Sequence, residues 1–222
     1  MVHSSCVMKL FLDSASLDQI REAADLGYVD GITTNAILMA AEGIANREEA
    51  FMHYKTICSL IDGDVSARVV SEDAEGIVRE GRELSDLHTN LLPKIPLTRE
   101  GLKAIKQLSK EGIRTNCTVI FSVPQAILAA KVGATYVSVF VGKTDDTGGD
   151  GLALIADVAH AFDTYGYASQ ILAASIRSID HVAGCARLGA DALTCPLELL
   201  RNLAKHPLTD EVLARFSQAD CR

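Results

Sequence analysis

A parallel (β/α)8 barrel is the fold the sequence predicts, and three features carry that expectation. Short apolar runs of strand length alternate with longer segments of helical period, and the alternation repeats eight times. Helical segments stop at a glycine just ahead of the next strand, at Gly27, Gly112, Gly133, Gly166 and Gly189, the usual C-terminal stop. No G-x-G-x-x-G turn follows the first strand, which disfavours the alternative of an open doubly wound sheet. With 222 residues, 48% of them hydrophobic, the chain suits one domain near the upper end of single-core sizes.

The elements follow in order. The first strand is 8–13, and the first helix, 17–26, starts behind Ser16 in the cap position. The second strand, 29–34, precedes a long helical pattern over 36–61. The third strand, 65–70, leads to a helix over 73–85, and the fourth, 91–98, to a helix over 99–110. The fifth strand is 114–120 with helix 123–131. The sixth, 136–141, runs into a Gly/Asp-rich loop and then helix 152–165. The seventh is 170–176 with helix 179–188, and the eighth 192–196 with helix 197–204. An extra amphipathic C-terminal helix over 209–216 is expected to pack on a neighbouring subunit or over the barrel mouth. No linker or low-complexity stretch divides 1–222, so one barrel domain is expected.

Composition narrows the function. The formal charge is −8 and no basic cluster reverses it, which argues against nucleic acid as a partner. The six cysteines, Cys6, Cys58, Cys117, Cys185, Cys195 and Cys221, form no C-x-x-C pair and read as reduced thiols of a cytoplasmic protein. Residues 1–13 do not read as a signal peptide, because their short apolar part contains Lys9 and ends in an aspartate. No uncharged apolar run approaches the roughly 18 residues of a membrane span. His3, His53, His88, His160, His181 and His206 show no paired ligand spacing, so no metal site is expected.

Chemistry in a parallel barrel sits at the C-terminal strand ends. The fourth strand carries Lys94 among Leu92, Ile95 and Leu97. Its stem can pack while its ammonium reaches water. Alternatively, burial lowers its pKa and leaves an amine able to attack a carbonyl. The other strand ends offer Asp13, Thr33-Thr34-Asn35, Arg68, Asn116 with Thr118, Phe140 running out through Gly142-Lys143, and Ser175-Ile176-Arg177. Asp13 suits a general base or a helix cap. Lys143, Ser175 and Arg177 lie on the strands where this fold often holds phosphate.

These residues fall in ordered motifs: Leu10-Phe11-Leu12-Asp13-Ser14-Ala15, Asp30-Gly31-Ile32-Thr33-Thr34-Asn35, Lys94-Ile95-Pro96-Leu97-Thr98, Thr115-Asn116-Cys117-Thr118, the helix start Gln125-Ala126-Ile127-Leu128, 137–142, and Ala173-Ala174-Ser175-Ile176-Arg177. Together they resemble the small transaldolase family, which includes fructose-6-phosphate aldolase, over nearly the whole chain. The resemblance implies the barrel, pentamers stacked into decamers, and a Schiff-base mechanism without metal or cofactor. In that mechanism Lys94 adds to the C2 ketone of a keto-sugar phosphate and Asp13 takes the C4 hydroxyl proton. Thr118 holds a proton-shuttling water. Thr33, Asn35, Asn116 and Ser175 line the substrate, and Lys143 and Arg177 take its phosphate.

The departures from the family pattern matter. Ala36 and Val139 replace usual prolines, and Lys143 replaces an arginine, keeping the charge and losing the bidentate fork. Arg68 stands where the family offers Glu or Gln to the catalytic water, and it has donors only. A cation there would lower the Lys94 pKa further, pair with Asp13, or meet an anionic group of an acidic or sulfonated sugar. Phe140 replaces the tyrosine of the aldolase members and favours transfer of dihydroxyacetone over its release. The expected activity is therefore transaldolase, with the aldolase as alternative. A non-catalytic sugar-phosphate-binding protein is the rival of another class.

Overall fold

Eight parallel strands close into a barrel in the computed structural model, which describes residues 7–220. They are β1 (Lys9–Asp13), β2 (Gly31–Thr33), β3 (Asp64–Arg68), β4 (Leu91–Pro96), β5 (Asn116–Ile120), β6 (Tyr136–Phe140), β7 (Gln170–Ala174) and β8 (Ala192–Cys195). They pair in chain order, and β8 returns to β1 from Lys9↔Ala192 to Leu12↔Cys195. The helices are α1 (Leu17–Leu26), α2 (Ala36–Ala41), α3 (Arg47–Leu60), α4 (Ala74–Leu87), α5 (Arg99–Lys110), α6 (Val123–Lys131), α7 (Val141–Asp145), α8 (Gly151–Tyr165), α9 (Ile179–Arg187), α10 (Leu197–Asn202) and α11 (Pro207–Asp220). Among the described residues no helix is long and apolar enough to cross a membrane.

The two-residue period of the strands divides the apolar residues into two sets. Outward residues such as Leu12, Ile32, Val65, Ile95, Val137, Ile171 and Leu193 pack beneath the helices as one continuous core. Inward residues Phe11, Leu92, Tyr136, Leu172, Ala174 and Ala192 fill the barrel as a second cluster. Below it, the N-terminal end is closed by polar groups. Lys9 donates to the Tyr136 hydroxyl at 2.8 Å and to Gln170 at 3.1 Å. Tyr136 donates to Asp64 at 2.8 Å, which Arg114 also holds at 2.8 Å. A barrel filled by side chains and plugged at one end can present chemistry only at the other.

The expected elements form, with shorter strands and three corrections. The segment 36–61 is two helices. Gly43 takes a left-handed φ of 76°, and Asn46 then caps α3 by accepting from the Glu49 amide at 2.9 Å. Glu49 reaches back to the Ala45 amide at 2.8 Å, so the Asn46-Arg47-Glu48-Glu49 stretch closes a reciprocal cap. The Gly/Asp-rich loop contains the short helix α7. Ser16 makes no side-chain cap bond; Ser14 accepts from its amide instead, at 3.0 Å. All five glycines expected to stop helices have positive φ. Cys6, Cys221 and His3 lie outside the described residues, and Cys58, Cys117, Cys185 and Cys195 are buried free thiols.

Candidate active site

One step above the apolar filling, the inward positions turn polar. Asp13 follows Phe11, Lys94 follows Leu92, Ser138 follows Tyr136 and Thr194 follows Ala192, each two residues along its strand. Strand register sets Asp13 beside Thr33, and Lys94 between Arg68 and Asn116. The Lys94 amine donates to the Thr34 carbonyl at 3.1 Å. The residue as a whole keeps some solvent contact, but protein surrounds the amine. That burial pushes the pKa below the usual lysine range, and the Asp13 carboxylate opposes it.

Asp13 is not a helix cap. Its carboxylate accepts from the Thr33 hydroxyl at 2.7 Å. That hydroxyl has a single hydrogen, so its second 2.7 Å contact, with Thr194, is donated by Thr194. Two ordered hydroxyls thus orient the carboxylate from β2 and β8. Asn116 is fixed in the same way: it donates to Ser66 at 3.0 Å and accepts from Ser138 at 2.7 Å.

The Thr118 hydroxyl is buried without a protein partner. It sits at an irregularity where the β5–β6 register shifts between Cys117 and Ile120, and Val119 is forced to a φ of 66°. A β-branched residue in the left-handed region is strained, and such bulges re-aim side chains beside active sites. Phe140 closes this side, its ring 5.3 Å from that of Phe121.

The β6 and β7 ends form a second cluster. Ser175, also left-handed at φ 59°, accepts at its carbonyl from the Gly142 amide at 3.1 Å. A Cβ on Gly142 would lie 2.4 Å from that carbonyl oxygen and 2.8 Å from Arg177 Nε, so only glycine permits the approach. Both terminal nitrogens of Arg177 meet the Asp146 carboxylate, Nη2 at 2.6 Å. Lys143 Nζ lies 3.9 Å from the same carboxylate. Hydrogen bonding from Arg177, reinforced by the charges of Arg177 and Lys143, holds the Asp146 pKa below the usual carboxylate range.

The expected residues thus fall into three groups. Lys94, Asp13, Thr33, Asn116, Thr118 and Phe140 belong to the inner layer at the C-terminal end. Lys143, Ser175 and Arg177 gather between β6 and β7. Asn35 and Arg68 have other surroundings, next to these groups in the chain or the sheet. The Asn35 side-chain oxygen caps α2, accepting from the Ile37 and Leu38 amides at 2.9 and 3.0 Å. Arg68 is exposed and lines a groove of about 480 Å³ with Met39, Arg47, Phe51 and Tyr54, which includes neither Lys94 nor Asp13. Burial and Asp13 are the influences on the Lys94 amine, and Arg68 is not among them. Sequence reasoning missed Ser66, Ser138, Thr194 and Asp146. The first three were recoverable from strand parity, each lying two residues from an inward position.

A buried amine and a carboxylate that acts on it lie at the C-terminal end of a parallel (β/α)8 barrel, the end where enzymes of this fold place their chemistry. Residues 10–221 match the family described as Transaldolase/Fructose-6-phosphate aldolase, and the chain belongs to that family. A "Probable transaldolase" of Porphyromonas gingivalis is 54% identical over 209 residues, covering 94% of this chain and 95% of the relative. Proteins of the same description from Cytophaga hutchinsonii and Bacteroides thetaiotaomicron are 51% and 52% identical, covering 94% of this chain and 96% of each relative. The solved thiamine phosphate pyrophosphorylase of Pyrococcus furiosus superposes with a TM-score of 0.59 over 85% of each chain at 15% identity, a likeness of fold alone.

Proposed function

We propose that this transaldolase works through a Schiff base on Lys94. The neutral amine adds to the C2 ketone of a keto-sugar phosphate and loses water to give an iminium. Asp13 removes the C4 hydroxyl proton, the C3–C4 bond breaks, and its electron pair passes to the iminium as an enamine. The first aldose phosphate leaves. The enamine carbon then attacks the aldehyde of a second aldose phosphate, and hydrolysis returns the lysine. The observation that carries this reading is the buried Lys94 amine, held below its ordinary pKa with Asp13 acting on it.

The other groups take supporting roles in the same proposal. Thr118 anchors the water that moves protons, using the hydroxyl that lacks a protein partner. Thr33, Asn35 and Asn116 orient substrate hydroxyls, and Lys143, Ser175 and Arg177 hold the phosphate. Phe140 has no hydroxyl with which to place a water for protonating the enamine, which favours transfer over release. The exposed guanidinium of Arg68 has no carboxylate partner among the described residues and is available to a further anionic group.

The 222 residues are read as one cytoplasmic domain that self-associates. Support for self-association comes from α11: its residues 207–219 are all exposed, with Leu208, Val212 and Phe216 on one stripe. A 14-residue helix of this kind is marginal alone in water.

The test supplies fructose 6-phosphate as donor and an aldose phosphate as acceptor, and scores transfer product against free dihydroxyacetone. Transfer product should dominate. Free dihydroxyacetone in excess would mark an aldolase, and binding without turnover would favour a sugar-phosphate-binding protein.

A further inference from the structure

Asp146 touches both cations of the β6–β7 cluster, and nothing in the reaction above uses it. Its carboxylate spans both terminal nitrogens of Arg177 and reaches toward Lys143. A phosphate would meet that guanidinium through the same planar two-point fork. While the carboxylate is seated, the fork is occupied.

We propose that Asp146 is an internal stand-in for the substrate's phosphate, which must displace it from Arg177 and Lys143, so that this residue sets how much anionic charge a substrate needs. The proposal rests on reading Lys143, Ser175 and Arg177 as the phosphate site.

Three features fit an exchangeable contact better than a fixed strut. The side chains of Arg177, Asp146 and Lys143 are 49%, 38% and 61% exposed, so water can take over each partner as it separates. Asp146 lies in an exposed run from Asp145 to Asp150 that carries Gly148 at a φ of 81°, so its carboxylate can swing away without unpacking the core. The neighbouring aspartate has a different task. Asp145 accepts from the Gly151 amide at 2.8 Å and lies 3.2 Å from His181, which ties the segment to α8 and α9. With Asp145 held by those contacts, Asp146 is the carboxylate that hydrogen-bonds the guanidinium, while Asp145 adds only its charge nearby.

Charge then decides selectivity. A singly charged group gains roughly what it displaces. A phosphate dianion gains more, and an uncharged sugar gains nothing and leaves Asp146 in place.

The experiment compares wild type, Asp146→Asn and Arg177→Ala for inhibition by inorganic phosphate, and for KM with fructose 6-phosphate and with unphosphorylated fructose. Asparagine keeps the shape and removes the charge. The Asp146→Asn variant should bind phosphate roughly two- to fivefold more tightly, a size typical of an exposed ion pair. Its KM for the phosphorylated donor should fall by a similar factor, lowering the ratio of phosphorylated to unphosphorylated KM. Weaker phosphate binding in Asp146→Asn would instead make Asp146 a strut that positions Arg177, and no change would mean that it does not compete; either result overturns the proposal. Arg177→Ala separates the two levels of argument. If it leaves phosphate inhibition and both KM values alone, the phosphate site itself has been misplaced, and the stand-in falls with it.

Discussion

Replacing Lys94 by methionine should make the protein more stable while abolishing transfer. Methionine keeps the length of the stem and removes the charge. The amine makes one hydrogen bond, to the Thr34 carbonyl, so its loss forfeits about 0.5–1.5 kcal/mol. Against that stands the desolvation of a buried charge, several kcal/mol even after relaxation, offset in part by Asp13. The balance is a net stabilisation of about 1–3 kcal/mol, or roughly 2–12 °C in Tm for a chain of this size.

The gain should also depend on pH with a definite sign. The native pKa lies below the ordinary value of 10.5. At pH below the native pKa the lysine is charged in both states, and the wild type carries the full penalty. As pH rises from the native toward the unfolded value, the unfolded chain binds more protons than the native one, so wild-type stability climbs. The advantage of Lys94→Met therefore shrinks across that window and is gone above it. Denaturant titrations from pH 6.5 to 10.5, at fixed protomer concentration, measure it. A variant less stable than wild type at neutral pH, or an advantage flat with pH, would refute the buried-amine reasoning.

Three further outcomes are expected. Thr118→Val removes a buried hydroxyl that has no protein partner; transfer should fall by about 10²–10³-fold, the scale of proton-transfer assistance, with stability unchanged or slightly raised in thermal unfolding. Gly142→Ala drives a Cβ toward the Ser175 carbonyl; overpacking costs about 1–3 kcal/mol, so KM for phosphorylated donors should rise about tenfold in steady-state kinetics while that for unphosphorylated fructose rises less. Tyr136→Phe cuts the link between Lys9 and Asp64 at the closed end of the barrel; unfolding free energy should drop by about 1–3 kcal/mol with kcat/KM unchanged.

Much of this molecule was legible in its sequence because parallel-barrel strands announce themselves twice, by apolar runs and by the glycines that end the preceding helices. The lysine at 94 stood out because a charge among Leu92, Ile95 and Leu97 conflicts with its neighbours, and such conflicts mark function. The break between α2 and α3 was readable too, from Asn46 with Glu49 three residues on, but the continuous helical pattern masked it. Other features depend on distant partners. Thr194 orients Asp13 only because β8 closes against β1, and no local pattern ties a threonine to an aspartate 181 positions earlier (194 − 13). In the sequence Asp146 is one of several polar residues in a Gly/Asp-rich loop, and only the fold brings Arg177, 31 residues on, back onto it. Arg68 drew attention as a departure from the family pattern, yet strand position alone could not show that its side chain would line the groove beside α2 and α3.

The most direct measurement is reductive trapping. Protein incubated with fructose 6-phosphate and borohydride, then digested and mapped by mass spectrometry, should carry a reduced sugar adduct on the peptide containing Lys94, with none in Lys94→Met. Turnover of the donor with no adduct at that residue, or an adduct on a different lysine, would contradict the account.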